Sequence, residues 1–273
     1  YSQAAANNDD EYAYDGTYVD KWGDTRKGSQ LGVTYTKDAT EFNIWAPAAT
    51  GVKVNIYEAG AGNASNACKI GSYTLEKVSS SKEWNGIWTI TLVGNWGDYY
   101  YDYTITTTDA YHKDSNQTQT YNIQDPYSIA VSEDGKYSYI TDTSTISPEG
   151  WDNDRHVYVD STKANTVYRI SVKDFSSDAE SGMTAGGKYS AFTQEGAKVN
   201  SAGELVSGID YLKELGVTTV QLAPFADYEA DSEYEILNYN APETSYASNP
   251  SDCKTVIKEC KEMIQALHSA GFS

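Results

Sequence analysis

The chain has 273 residues, of which 39% are hydrophobic, and it carries a formal net charge of −19 at pH 7. This length is enough for one or two domains with real hydrophobic cores. The excess of acidic groups argues against nucleic acid and anionic membranes as partners, because their phosphates would repel the chain. We therefore expect a soluble protein with a neutral ligand.

The aromatic residues are unusual in kind, with 24 Tyr and 6 Trp but only 5 Phe. Tyr and Trp have a polar edge, so they can stack on sugar rings while staying in contact with water. A β-rich secreted protein also uses Tyr heavily in its core and on its edge strands. The composition is therefore compatible with a carbohydrate ligand and with a purely structural use.

The cysteines form no disulfide framework and no metal-binding pattern. Cys253 and Cys260 lie seven residues apart on one predicted helix, too far to pair, and Cys68 is alone in its half of the chain. Small buried residues are the better interpretation. We expect no metal ligands and no cofactor, and nothing in the sequence supports a calcium site. No run approaches the roughly 20 apolar residues of a transmembrane helix. The chain contains no signal peptide, so we expect that any export signal has already been removed.

Residues 1–30 are polar, acidic and rich in Ala, Asn, Asp and Gly. We expect them to form a lead-in segment before the first domain. Residues 31–145 then contain short runs rich in β-branched and aromatic residues, separated by turn-forming residues. The runs are GVTYT, EFNIWAP, GVKVNIYEA, KIGSYTLEKV, GIWTITLV and YYYDYTIT. This spacing predicts an antiparallel, immunoglobulin-like β-sandwich.

Alternation along YYYDYTIT separates the two faces of its strand. The set expected in the core consists of Tyr99, Tyr101, Tyr103 and Ile105, and the opposite set consists of Tyr100, Asp102, Thr104 and Thr106. Aromatic residues at strand ends, in turns or on the outer face are the candidates for a sugar-binding platform. They are Trp84, Trp96, Tyr100 and Tyr111. For each one alone, a structural role or chance exposure is the simpler explanation. A binding site requires several of them to converge.

The second half of the chain changes to an α/β pattern. VYRISVKDF at 167–175 predicts a strand, Leu205–Leu215 has the apolar spacing of a helix, Gly216 is a helix stop, and Val217–Ala223 predicts another strand. This order predicts a parallel pair of strands joined by a crossover helix. Asp252–Ala270 adds a second amphipathic helix with one continuous apolar stripe.

Several motifs in the same order resemble those of one family. They are FNIWAPAATGVKVNIYEAG, YNIQDPYSIAVSEDGKYSYITDTSTISPEGWDND, VYRISVKDFSSD, GGKYSAFTQEG, YLKELGVTTVQLAPFADY and LNYNAPETSYASNP. From about Leu31 to the last residue, the chain looks like a type I pullulanase. That family of starch-debranching enzymes belongs to glycoside hydrolase family 13 in the α-amylase superfamily.

The resemblance implies a domain order and a reaction. Residues 31–145 would be a sandwich of carbohydrate-binding module family 48, residues 146–166 a connector, and residues 167–273 a truncated (β/α)8 barrel with two βα units. In the family, an Asp nucleophile and a Glu acid/base on the fourth and fifth barrel strands hydrolyse α-1,6 links with retention. The chain ends before the third strand, so we expect it to be inactive and name no catalytic residue.

Two departures from the family pattern concern the barrel part. The family reads YELHVRDFS at its first strand, whereas Arg169, Ser171 and Lys173 occupy the alternating polar positions here, and Arg169 replaces a Glu. The family motif YNWGYDP corresponds to Ala230–Ile236, where only the second tyrosine survives, as Tyr234. In the family this tyrosine stacks on the sugar. Tyr234 therefore joins the candidate sugar-binding residues, with an ordinary loop tyrosine as the simpler alternative.

Three functions stay open from the sequence. The first is a secreted, non-catalytic protein that binds an α-glucan such as starch, glycogen or pullulan. The second is an N-terminal fragment or split subunit of an active pullulanase. The third is a scaffold in which the open edge of the partial barrel docks a protein partner or a second copy of the chain. We expect an extracellular or cell-surface location.

Overall fold

The computed structural model of the protein describes residues 17–19, 25–27, 31–58, 68–78, 86–108, 118–160, 165–201, 203–229 and 232–273. The chain divides into two compact units, Tyr1–Asp142 and Thr143–Ser273. The described part of the first unit consists mainly of β-strands, and that of the second mixes strands with helices.

The first unit contains two antiparallel sheets and a separate strand pair. The pair consists of β1 (Thr17–Val19) and β2 (Thr25–Lys27), within the segment predicted as a lead-in. The remaining strands are β3 (Gly32–Tyr35), β4 (Ala39–Trp45), β5 (Ala49–Tyr57), β6 (Lys69–Thr74), β7 (Glu76–Lys77), β8 (Ile87–Val93), β9 (Tyr100–Thr108), β10 (Thr118–Ile123) and β11 (Ser138–Tyr139). One sheet has the order β3-β4-β8-β7; the other has the order β10-β9-β5-β6, with β11 paired to β9.

The core of the first unit lies between these two sheets. Alternate side chains of the central strands point inward. The buried set includes Phe42, Ile44, Val52, Val54, Ile56, Leu92, Tyr101 and Tyr103. The rings of Phe42 and Tyr101 meet edge to face at 5.3 Å, an arrangement that aromatic rings prefer. The predicted β-sandwich is present, and the inward set predicted from the alternation is confirmed: Tyr101 and Tyr103 are buried, and Tyr99 and Ile105 are partly buried and pack against this core.

A buried carboxylate joins this core to the segment that follows β10. Asp125 is fully buried; Tyr101 donates its hydroxyl to Oδ2 at 2.8 Å, and the backbone amide of Tyr127 donates to Oδ1 at 2.9 Å. Burial raises the pKa of Asp125 from 3.8 to about 6, because the charged form loses its hydration. The two hydrogen bonds lower that pKa in part.

The second unit combines parallel and antiparallel strands with helices. Its main elements are β12 (Val167–Ile170), α1 (Asp174–Ser177), α2 (Gly208–Glu214), β13 (Thr219–Leu222), β14 (Ala226–Tyr228), β15 (Ile236–Pro242) and α3 (Cys253–Ser269). Short 3₁₀ helices occupy Thr143–Thr145, Trp151–Asn153, Ala179–Ser181, Tyr189–Thr193, Val199–Ser201 and Thr244–Tyr246. Strands β12 and β13 pair in parallel, whereas β14 and β15 pair antiparallel. The predicted order of strand, helix and parallel strand is confirmed.

Helix α3 supplies one side of the second core. It begins after Asp252, whose side chain accepts hydrogen bonds from the amide of Lys254 at 3.1 Å and from the hydroxyl of Thr255 at 2.6 Å. Such a cap satisfies amides that have no partner within the helix. The predicted apolar stripe is confirmed, because its buried members are Cys253, Val256, Ile257, Cys260, Met263 and Leu267. Four of them, Val256, Cys260, Met263 and Leu267, share one core cluster with residues that include Phe192, Ile209 and Leu212.

Two element boundaries in the second unit differ from the sequence expectation. The strand predicted to continue to Phe175 ends at Ile170, because the chain turns into α1. The helix predicted from Leu205 begins at Gly208, and Leu205 is 72% exposed. The reason is a local pairing: the amide of Val199 donates to the carbonyl of Leu205, and the amide of Ser207 donates to the carbonyl of Ala197, both at 2.9 Å.

The three cysteines occupy different environments. Cys253 and Cys260 are buried, as predicted, whereas Cys68 is exposed just before β6. Burial raises the pKa of the Cys260 thiol from 9.0 to about 12. That thiol therefore stays protonated at neutral pH.

Asp125 generates a prediction about stability and pH. The buried charge is disfavoured, so the folded state binds more protons than the unfolded state between about pH 4 and pH 6, and stability falls as pH rises through that window. Asp125→Asn cannot ionise and escapes this loss. Relative to the natural chain, the variant should gain up to about 3 kcal/mol between pH 4 and pH 7. Hydrogen exchange of peptides from β9, corrected for intrinsic rates at each pH, measures the difference.

Asp38→Asn is the matched control, because Asp38 is an exposed carboxylate in the same unit. The stability of the Asp38→Asn variant relative to the natural chain should be the same at pH 4 and at pH 7. If the stability of Asp125→Asn relative to the natural chain is the same at pH 4 and pH 7, burial of a charge at Asp125 does not cause a pH-dependent loss of stability.

Candidate functional site

The outer side of the five-stranded sheet carries a connected row of polar side chains. We call this row the polar face; it consists of Asn55, Tyr57, Lys69, Ser72, Asp102, Thr104 and Asn122. The strand register brings its members together, because Asn55 lies opposite both Asp102 and Ser72. Thr104 likewise lies opposite Asn122. The neighbours of these residues along β5 and β9 point into the core, so the alternation of the strands turns this set outward.

Asn55 is the centre of the hydrogen-bond network on the polar face. Its Nδ2 donates to Asp102 Oδ1 at 2.5 Å and to Thr104 Oγ1 at 2.8 Å. Its Oδ1 accepts from the Ser72 hydroxyl at 2.6 Å, and the Thr104 hydroxyl donates to Asn122 Oδ1 at 2.8 Å. Asn55 and Asp102 are only 1% and 5% exposed, whereas Ser72 and Asn122 are exposed. A buried polar pair therefore holds the groups that reach the solvent.

Burial raises the pKa values of Asp102 and Tyr57, two titratable groups of the polar face. Burial raises the pKa of Asp102 above 3.8, while hydrogen bonds from Asn55 and Tyr57 and the charge of Lys69 lower it in part. The Tyr57 hydroxyl donates to Asp102 Oδ2 at 3.2 Å, and burial and the Asp102 charge raise the pKa of Tyr57. Tyr57 thus remains a neutral donor. Its ring contacts Tyr137 edge to face at 4.8 Å. Hydroxyls, amides and a half-buried aromatic ring together suit a neutral polyhydroxyl ligand.

The position expected for Tyr100 needs correction. Tyr100 is on the outer side of β9, as the alternation predicts, but it is only 3% exposed. Strand β11 covers it, because Tyr139 pairs with Tyr100 and the two rings lie 5.1 Å apart. The Tyr100 ring therefore has no free face on which a sugar could stack, and we leave it out of the candidate site.

Of the other sequence candidates in the sandwich, the structure describes only Trp96. Trp84 and Tyr111 lie outside the described residues. Trp96 is half-buried in the turn before β9 and packs against the core, with its ring 6.1 Å from that of Tyr73. Because Tyr73 lies opposite Val54, a core residue, Trp96 is on the inner side of the five-stranded sheet. The polar face is on the outer side.

Tyr234 belongs to the second unit and contacts the residue that departs from the family pattern. Tyr234 is 60% exposed; Arg169 Nη2 donates to its hydroxyl at 2.5 Å, and the guanidinium lies 5.8 Å from the ring centre. The Ser171 hydroxyl also donates to Glu233 at 3.0 Å. Arg169 and Ser171 thus contact the same loop, as their alternation predicts. Lys173 instead immediately precedes α1.

Within the described ranges, no group of three or more His, Cys, Asp or Glu side chains is arranged to hold a metal ion. None of the helices that the structure describes is long and apolar enough to cross a membrane.

None of the seven members of the polar face is among the sugar-binding residues expected from the sequence. The available signal was the alternation along β9, which placed Asp102 and Thr104 on the outer side. The signal is incomplete because Asn55 and Asp102 are 47 positions apart in sequence. Only the register between β5 and β9 shows that they touch.

The sandwich matches a known family in sequence. Residues 30–128 match the family model of carbohydrate-binding module 48, the isoamylase N-terminal domain. All members of the polar face lie within this span.

Relatives extend the similarity to the second unit. The pullulanase of Bacillus subtilis strain 168 is 31% identical over 97% of this chain. The chain resembles an N-terminal portion of pullulanases. It spans 33% of the Bacillus subtilis protein, so this pullulanase-like chain corresponds to about a third of that relative's length.

Solved pullulanases share the fold. The structure from Paenibacillus barengoltzii, in complex with maltohexaose and α-cyclodextrin, matches 90% of the pullulanase-like chain with a TM-score of 0.77 and 30% identity. The pullulanase from Bacillus acidopullulyticus matches 90% with a TM-score of 0.76 and 34% identity. The chain covers 37% and 29% of these two proteins, respectively.

The polar face generates a prediction about Asn55. Asn55→Asp places a second carboxylate at 2.5 Å from Asp102 Oδ1 and removes the donor that holds it. Two carboxylates at this distance cannot both be charged, so we expect a loss of about 2–4 kcal/mol in unfolding free energy at pH 7 that is largely recovered near pH 4, where one carboxyl is protonated. Urea unfolding at pH 7 and pH 4, monitored by hydrogen exchange of peptides from β5, measures this change in unfolding free energy.

Asn122→Asp is the matched control for this change. Asn122 is an exposed member of the same face and already accepts a hydrogen bond through its oxygen. Its substitution should cost less than about 0.5 kcal/mol at either pH. An equal effect of the two substitutions would contradict the central role of Asn55.

Proposed function

We propose that the chain binds α-glucans through the polar face of its sandwich, without catalysing a reaction there. The observation that carries the proposal is the match of residues 30–128 to a carbohydrate-binding module family. A supporting observation is that a pullulanase of the same fold has been solved with maltohexaose and α-cyclodextrin, which both consist of α-linked glucose.

The chemistry of the polar face supports a glucan ligand. Sugar hydroxyls both donate and accept hydrogen bonds, so they match the exposed hydroxyl of Ser72 and the amide of Asn122. The ring of Tyr57 can contact the apolar C–H face of a glucosyl unit. Because such a ligand is neutral, the net charge of −19 does not oppose its binding. Trp84 and Tyr111 stay predicted sugar contacts, and the extracellular or cell-surface location stays a prediction.

The proposal predicts that Tyr57→Ala weakens binding. Losing the ring and its hydroxyl should raise the dissociation constant about tenfold, which corresponds to about 1.4 kcal/mol. Affinity electrophoresis of the 273-residue chain in gels containing amylopectin measures the change. Tyr211→Ala is the control, because Tyr211 is a half-exposed tyrosine in the second unit. Equal retardation of the natural chain and Tyr57→Ala would exclude Tyr57 from the site, and unretarded migration of the natural chain would overturn the function.

A second candidate function is that the chain is the front portion of an active pullulanase, in which the second unit begins a (β/α)8 barrel. The amide of Ser273 donates to the carbonyl of Thr218, and the amide of Val220 donates to the carbonyl of Ser273, both at 3.0 Å. These bonds lie on the edge of β13 opposite to β12. The spatial order across the sheet is thus β12, β13, Ser273, the same as their order along the chain. A singly wound barrel has this arrangement.

The 273-residue chain should release no reducing sugar from pullulan. Retaining hydrolysis needs two carboxyl groups that face the scissile bond. Two of the carboxylates near the parallel strands have structural partners instead: Glu243 accepts the amides of Tyr228 and Ser245 at 3.2 and 2.9 Å, and Glu233 accepts the Ser171 hydroxyl. A reducing-sugar assay on the purified chain decides the point. Release that co-purifies with the chain would contradict the non-catalytic proposal.

The third hypothesis, a protein partner or self-association at the barrel edge, also stays a prediction. Within the described residues, β12 pairs only with β13. A cleft of about 750 Å³ lies beside it, and its lining includes Tyr168, Arg169 and Tyr211. The unpaired N–H and C=O groups of an uncovered strand edge can pair with a strand of another chain.

A further inference from the structure

The turn between β8 and β9 is in close contact with side chains from other strands. It runs through Gly94, Asn95, Trp96, Gly97 and Asp98, and Asp98 has a φ of +71°, a left-handed conformation that is unfavourable for a non-glycine residue. Gly97 allows a close approach, because a Cβ there would lie 2.5 Å from the hydroxyl oxygen of Tyr35. The ring of Tyr35 therefore lies directly on the turn backbone.

Two tyrosines from other strands hold the polar side chains of this turn. The Tyr35 hydroxyl donates to Asn95 Oδ1 at 2.8 Å, and the Tyr139 hydroxyl donates to Asp98 Oδ1 at 2.9 Å. Asn95 Oδ1 also accepts the amide of Gly97 at 3.1 Å. The acceptor atom of Asn95 is thus used inside the turn. Its Nδ2 has no acceptor among the described residues, and the side chain is exposed.

Trp96 lies between these two polar side chains with its ring orientation fixed. Its Nε1 donates to the carbonyl of Val93 at 3.2 Å, and its ring meets that of Tyr99 edge to face at 5.6 Å. Trp96 and Tyr35 are both half-buried, so each ring keeps part of its surface in solvent. We call Tyr35, Asn95 and Trp96 the turn platform; the pair of Asp98 and Tyr139 flanks it, and Tyr139 is on the outer side of the sheet because it pairs with Tyr100.

We propose that the turn platform is a second contact site for α-glucan, separate from the polar face. Aromatic surface beside an outward amide donor matches the C–H face and the hydroxyl edge of one glucosyl unit. The carboxylate of Asp98 and the acidic chain disfavour an anionic ligand. The ligand class rests on the proposed function, whereas the site does not, because Trp96 is on the inner side of the sheet that carries the polar face.

Two sites on one module have a measurable consequence for a polymer. A glucan that reaches both sites is held by two contacts, so its apparent affinity exceeds that of an oligosaccharide bound at either one. The natural chain should bind maltoheptaose at two sites in calorimetric titration. It should also be retarded more strongly in amylopectin gels than a chain with one site removed.

Asn95→Asp tests the platform without removing the bonds that build the turn. The new carboxylate still accepts from Tyr35 and Gly97, but it loses both N–H donors and adds a charge where the sugar would lie. We expect maltoheptaose binding at this site to weaken about tenfold and the calorimetric stoichiometry to fall from two to one. Asn249→Asp is the control, because Asn249 is an exposed asparagine of the second unit.

Tyr57→Ala, analysed beside Asn95→Asp, separates this inference from the proposed function. Loss of one site in each variant, and of all binding in the double variant, supports both. Wild-type binding in Asn95→Asp with a loss in Tyr57→Ala overturns the turn platform alone. The reverse result overturns the polar face alone and supports the platform. A natural chain that binds neither maltoheptaose nor amylopectin overturns both.

Hydroxyl-radical footprinting of the natural chain gives a test that needs no substitution. Maltoheptaose should reduce the labelling of Trp96 and Tyr35, because their solvent-facing surfaces would be covered. Unchanged labelling of both residues at saturating maltoheptaose would overturn the platform.

Discussion

The pairing of β5 with β9 is the constraint on which the sandwich depends. It places Val54 opposite Tyr103 on the inner side and Asn55 opposite Asp102 on the outer side. Because side chains alternate along a strand, a slip of one residue would exchange these sides. A slip of β9, for example, would turn Asp102 into the core, away from Asn55, and would expose Tyr101 and Tyr103 to water. The hydrophobic core and the polar face are therefore two results of a single register.

Strand β9 also links the features that could carry function. Its inward residues fill the core, its outward Asp102 anchors the polar face, and its first residues follow the turn that carries Trp96. Tyr101, on the same strand, donates a buried hydrogen bond to Asp125. A substitution in this strand would affect the core, the polar face and the turn together. Exposed residues such as Asn95 and Asn122 are therefore better probes of binding than residues of β9.

Local patterns in the sequence predicted the parts of the fold that depend on local geometry. Alternation predicted the inward position of Tyr101 and Tyr103, and helical spacing predicted the buried stripe of α3, because both periods belong to a single element. The same rules placed Tyr100 on the outer side but could not show that β11 covers it. The contact of Arg169 with Tyr234 joins residues 65 positions apart, and no local pattern indicates it. The candidate site was therefore only partly predictable, since it depends on register between distant strands.

The distribution of the three thiols has a practical consequence. Cys253 and Cys260 are 3% and 7% exposed, and burial also keeps the Cys260 thiol protonated, so neither is open to a maleimide at neutral pH. Cys68 is exposed and directly precedes Lys69 of the polar face. The natural sequence thus allows a single fluorophore to be attached beside this face without any substitution. Its emission would report the arrival of a ligand in real time.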